Sequence, residues 1–326
     1  MSISFAIEDG VIVAQRDGQT FYLQGSDERV ADYPRPDLRP NTFVSLLTPP
    51  ATRLRGGFRP VYVDTSGRLV LVTYSDSLTS GISDVQAATV LPSVADANAL
   101  SVFFGYVPAS ISAFGAFFSV SATQPGTNSL AQDVSSPIGK LLFYEGLVPP
   151  LSFACTDARR CLASGLRNVV GVGRLSLDQL VVVDRGETTQ EINVFPFPGT
   201  ATVNFGWPFK DGDEVRSAPP AGVTDPVSIF SRGSSNAALQ LAGAEVLENT
   251  LVLATRAGSI YTVPLLQLAA GSARDFSSYL DRTADLVPAT GPIGRIRVMK
   301  ASGTALFILN ERGELFRMTP TAQASF

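Results

Sequence analysis

The side chains able to do chemistry are few. The chain of 326 residues contains no histidine. Ser-His-Asp and Cys-His nucleophilic catalysis, a His-Glu zinc site and a histidine pH switch are therefore excluded. Cys155 and Cys161 are the two cysteines. Without histidine they cannot complete a tetrahedral zinc site, but they can close a small disulfide ring if their geometry allows it. Acid–base or binding chemistry must rest on carboxylates, Arg, Tyr, Lys or a bound cofactor. Arg295 and Arg297 alternate in sequence and so share one face of a strand. There they either gather at a pore mouth to hold an anion or stand in solvent. Arg167-Asn168 reads equally as a buried hydrogen-bonding pair or a ligand contact. Asp211-Gly-Asp213-Glu214 has calcium-binding residue types without the full Asp-x-Asp-x-Asp-Gly spacing, and reads as a solvated loop.

These residues are carried by short apolar runs bounded by turns. The runs are centred on Val11, Leu69, Phe117, Leu180, Leu251 and Leu306, at intervals of roughly 50–70 residues, and each is too short for an amphipathic helix. Three continue into a hairpin with Arg and Gly in its turn and an aromatic in its second strand: Ala14–Leu23, Ala254–Val263 and Leu309–Met318. Multi-strand units repeating at this distance predict a six-bladed β-propeller occupying residues 1–326 as one domain, the N-terminal strand closing the ring against the last blade. A pair of β-sandwiches is the alternative. Leu265–Ala270 is the best short helix. The charge-free stretch from Asn98 to Gln132 contains Gly105, Pro108 and Gly115, which favours two buried strands over a membrane span. Trp207, in Gly-Trp-Pro, packs at a blade end. The composition is 45% hydrophobic with a net charge of -4, from 25 basic and 29 acidic residues. That fits a core-forming chain and not a nucleic-acid-binding surface. No secretory leader is visible, which predicts a cytoplasmic or, for a viral chain, a virion-associated protein.

The middle of the chain is more specific. Gly165-Leu-Arg-Asn168, Asp184-Arg-Gly186, Glu191-Ile-Asn193 and Phe205-Gly-Trp-Pro208 occur in that order. Upstream lie Ala131-Gln-Asp133 and Gly139-Lys140; downstream lie Gly294-Arg-Ile-Arg297 and Leu306-Phe-Ile-Leu-Asn310. This series resembles the soluble PQQ-dependent glucose/sorbosone (aldose sugar) dehydrogenases. The resemblance implies a six-bladed propeller with the quinone over its central channel beside calcium. Gln132, Arg167, Asn168, Arg256, Arg295 and Arg297 fall on positions resembling the quinone contacts, and guanidinium forks suit its three carboxylates. Gly186 and Glu187 fall at the calcium loop, where Glu187-Thr-Thr-Gln190 replaces a short Gly/Pro-rich turn. The family's histidine base belongs near Tyr106–Ser112, and this sequence has none. The expectation is a propeller that has lost its redox chemistry, with no cofactor, binding a protein partner or a small anionic or carbohydrate ligand at the channel mouth. The alternative is a PQQ- and calcium-dependent aldose or alcohol dehydrogenase with a carboxylate base.

Overall fold

The computed structural model describes residues 2–5, 11–14, 20–24, 28–32, 45–47, 61–63, 68–74, 82–89, 100–106, 114–145, 155, 160–232, 237–286, 292–302 and 305–318. Six sheets of three to five strands follow one another along the chain. Their first strands are Ser2–Phe5, Ser45–Leu47, Leu100–Tyr106, Val169–Arg174, Leu241–Leu247 and Ile296–Ser302. Each first strand touches the first strand of the next sheet, and that of the sixth sheet returns to Ser2–Phe5. The result is a closed ring, a six-bladed β-propeller, an arrangement that leaves only short, protected sheet edges. Ser2–Phe5 pairs with Val11–Ala14 inside the first sheet and meets the sixth across the seam.

In the fourth and fifth sheets the apolar runs look continuous because both of their faces are buried. In Gln179–Arg185, Leu180 and Val182 pack toward Phe117, Leu141 and Phe143 of the third sheet. Val181 and Val183 pack toward Leu251, Leu253 and Val263 of the fifth. In Thr250–Thr255, Val252 and Ala254 turn the other way, onto Leu306 and Ile308 of the sixth. Alternation persists, but each face meets a neighbouring blade and neither meets water.

All three expected hairpins are antiparallel pairs, and Gly258 and Gly313 take the positive φ (104° and 83°) their turns require. The charge-free stretch forms the paired strands Leu100–Tyr106 and Phe114–Val120. Among the described residues no helix is long and apolar enough to cross a membrane; the short helix Leu265–Ala269 is where the sequence placed it. Cys155 and Cys161 are disulfide-bonded, with Cα atoms 5.1 Å apart.

Candidate functional site

The third, fourth and fifth sheets send their chain reversals to one end of the ring. Ser121, Thr123 and Gln124 follow the strand Phe114–Val120; Arg167 and Asn168 precede Val169. Arg185, Gly186 and Glu187 leave the end of Gln179–Arg185, and Gln240 and Arg256 flank the corresponding strands of the fifth sheet. Together they line a cavity of about 330 Å³. No aliphatic or aromatic side chain belongs to this described lining.

The lining positions repeat from blade to blade. Arg185 N–H donates to the Asn168 carbonyl at 2.9 Å, Arg256 N–H to that of Gln240 at 2.7 Å, and Glu311 N–H to that of Arg295 at 2.8 Å. In each case the inner strand starts with a bulge one residue later. An amide-bearing residue is thus backed by an arginine in the fourth and fifth blades. In the sixth the same two places hold Arg295 and Glu311, which form an ion pair at 3.6 Å.

Below the cavity, Asp184 is 2% exposed. Its carboxylate accepts from the backbone N–H groups of Arg167 at 2.8 Å and Asn168 at 2.6 Å, which fixes that turn. The Asn168 amide oxygen accepts from Arg185 Nε at 3.2 Å, and Arg185 Nη1 donates to the Leu241 carbonyl at 3.0 Å. Burial, then the charges of Arg256 and Arg167, push Arg185 down to about 10. Three guanidiniums therefore crowd one cavity, and among the described residues none of them has a salt-bridged carboxylate. Arg167 Nε is buried with no partner there, while its Nη1 donates to the Gly186 carbonyl at 3.0 Å.

Glu187 is the carboxylate of the described lining. It is ion-paired with Arg216. That hydrogen bond, reinforced by the charges of Arg216 and Arg167, holds its carboxyl below the usual range. Behind it, Asp211 accepts from Thr188 N and Oγ1, both at 2.8 Å, and from Arg216. A Cβ on Gly186 would collide with Asp211 Oδ1, so only glycine lets this turn lie on the carboxylate. Asp211 is 2% exposed, which corrects the expectation of a solvated loop: Asp213 and Glu214 are exposed, whereas Asp211 points inward to brace the turn. Glu191 faces Asp184 across the strand pair. Burial raises the carboxyl pKa of both; the charge of Asp184 adds to the rise at Glu191, and that of Asp211 adds to the rise at Asp184.

The structure brings Arg167, Asn168, Arg256, Gly186 and Glu187 together around the cavity. Gln132 lies elsewhere, exchanging hydrogen bonds with the Asn204 amide (2.8 and 3.1 Å) and donating to the Trp207 carbonyl at 2.7 Å. Lys140 supports that segment: its ammonium donates to the carbonyls of Leu130, Ala131 and Ile138, and burial pushes it down to about 8. Arg295 and Arg297 are exposed and outside the described lining. Trp207 is buried against Ala122 and Ala131, with the Arg167 and Arg216 guanidiniums 5.3 and 5.1 Å from its ring centre. The segment Val107–Ser112, where the family's histidine would belong, lies outside the described residues. The sequence reading missed Arg185, which stood inside the quoted Asp-Arg-Gly series, and Ser121, Thr123 and Gln240, which carry no motif.

The residues present suit a carboxylated ligand such as PQQ, on the strength of three crowded guanidiniums and the orphaned Arg167 Nε. They do not suit calcium. The Gly186 carbonyl already accepts from Arg167 and the Glu187 carboxylate from Arg216, so positive charge stands at both expected ligands. No group of three or more Cys, Asp or Glu able to hold a metal occurs among the described residues.

The fold is similar to that in a structure of the PQQ-bound form of aldose sugar dehydrogenase from Streptomyces coelicolor. The TM-score is 0.66 and the identity 17%, over 96% of this chain and 89% of that one. A structure of the Dos1 propeller aligns with a TM-score of 0.47 at 8% identity, over 97% and 77%. No protein-family model and no curated protein matches the chain. The likeness is one of fold, and function must be argued from the site.

Proposed function

We propose that this sugar-dehydrogenase-like propeller binds a small polycarboxylate in the cavity between its third, fourth and fifth blades and does not oxidise it. The observation that carries the reading is the convergence of Arg167, Arg185 and Arg256 on one cavity, with no salt-bridged carboxylate among the described residues. Such a cluster is offset by an incoming anion, and the planar guanidinium fork suits carboxylates.

Oxidation would need a base that the cavity's described lining does not supply. Taking a proton from an alcohol needs an acceptor with a pKa near the working pH. Glu187 is ionised but ion-paired and shifted the wrong way. Asp184, shifted the right way, spends its oxygens on the Arg167 and Asn168 N–H groups. The chain has no imidazole to replace them.

A second reading, a PQQ-dependent dehydrogenase, is favoured by the same guanidinium set. Arg167, Arg185 and Arg256 would hold the quinone's carboxylates, and the bound quinone would supply the hydride acceptor.

Trp207 is the single tryptophan and the Arg167 guanidinium lies over it, so its fluorescence reports on the cavity. Titration with citrate and with PQQ is expected to change that fluorescence saturably, with affinity falling as salt rises. With PQQ and calcium added, aldose-dependent dye reduction is expected to be absent. Turnover would overturn the non-oxidising reading, and no response to any carboxylate would overturn the cavity's assignment.

A further inference from the structure

We propose that Arg216 is a positioning residue that latches the cavity's own carboxylate, Glu187, away from the ligand-binding guanidiniums. The proposal rests on the polycarboxylate reading and names what regulates that site.

Glu187 directly follows Gly186, whose carbonyl accepts from Arg167 Nη1 at 3.0 Å, and its side chain is 54% exposed on the cavity wall. Arg167 is near enough to help depress the Glu187 pKa. A flexible carboxylate beside an under-compensated guanidinium is an internal competitor for any anionic ligand. What draws it off is Arg216, which follows the strand Glu214–Val215. Arg216 Nη1 takes Glu187, while Nη2 takes buried Asp211 and reaches Thr188 Oγ1 at 3.2 Å. The guanidinium also sits over the Trp207 ring, a favourable placement for a cation. Arg216 is therefore held by three partners independent of Glu187. Glu187 has Arg216 alone among the described residues to keep it from turning toward Arg167.

The test uses the full chain and citrate as probe, followed by Trp207 fluorescence and calorimetry. The R216Q variant is expected to bind citrate about tenfold more weakly than the parent, because the freed Glu187 carboxylate competes for Arg167. The double variant R216Q/E187Q is expected to recover parental affinity to within about threefold. Glutamine cannot compete as an anion, whereas a packing defect at Arg216 would persist. A double variant as weak as R216Q overturns the latch, as does R216Q binding at parental affinity. If R216Q does not fold, E187Q decides: affinity at or above the parent's supports the latch, and weaker binding makes Glu187 a ligand contact and overturns it. A parent protein that does not bind citrate sinks the polycarboxylate reading itself, a distinct result.

Discussion

The fourth and sixth blades use one backbone plan to opposite ends. In both, a residue at or next to the end of the second strand, Asp184 or Asn310, sends its side chain to the turn before the first. Asp184 accepts from two backbone N–H groups there; Asn310 Nδ2 donates to the Ile293 carbonyl at 2.7 Å. In both, the next residue donates its N–H across the same gap. The fourth blade then presents Asn168 and Arg185 to the cavity, and the fifth repeats this with Gln240 and Arg256. The sixth holds Arg295 and Glu311, which neutralise each other in solvent. The plan fixes where side chains emerge, and local pairing decides whether a cation there is available to a ligand.

The largest expected effect tests the turn itself. Removing the buried Asp184 carboxylate by D184A leaves the Arg167 and Asn168 N–H groups without their acceptor and is expected to cost about 3 kcal/mol in urea unfolding. The N310A change in the sixth blade should cost about half that. Equal losses would dissolve the distinction between a charged, cavity-bearing turn and a neutral one. Next comes charge exchange: R256E gives the fifth blade the sixth blade's acidic corner and is expected to weaken citrate binding by about 30-fold. Its counterpart E311R, which frees Arg295, should leave the affinity unchanged or raise it by about threefold at most. A large gain from E311R would place the sixth blade's arginines at the cavity.

The smallest effect concerns pH. Burial raises the carboxyl pKa of Asp184 and Glu191 in the folded protein, so folding retains protons that the unfolded chain would release. The stability this contributes is complete below the ordinary carboxylate range and is lost as pH rises through the raised folded values. E191Q removes one of the two buried carboxyls. It is expected to flatten the decline in melting temperature toward alkaline pH, gaining about 1 kcal/mol above neutrality. A decline as steep as the parent's would mean that the pair does not share this linkage.

Much of the ring was legible in the sequence. The six apolar anchors fall in six different sheets, and Gln179–Arg185 and Thr250–Thr255 show why such runs are apolar throughout: a strand buried between two blades must be apolar on both faces. Leu69 alone lies in a third strand, Arg68–Tyr74, rather than a second, and this displacement contributes to the uneven spacing of the anchors. The site was legible where residue type and local motif coincide, as at Arg167-Asn168. It was opaque where partners come from distant segments. Asp211 looked like a solvent acid because its partner, Thr188 beside the turn at Gly186, lies 23 residues back in the chain. Gln132 resembled a ligand contact, but Asn204, 72 residues on, claims its amide.

What the chain's own order of residues determined is the repeating unit, the turns that need glycine, and the exclusion of every chemistry that depends on imidazole. Those depend on local backbone preference and side-chain identity. Only the closed ring decided which arginines converge and which are cancelled by a neighbouring carboxylate. Electrostatic interaction depends on distance and burial, and both are set when blades far apart in sequence are brought side by side.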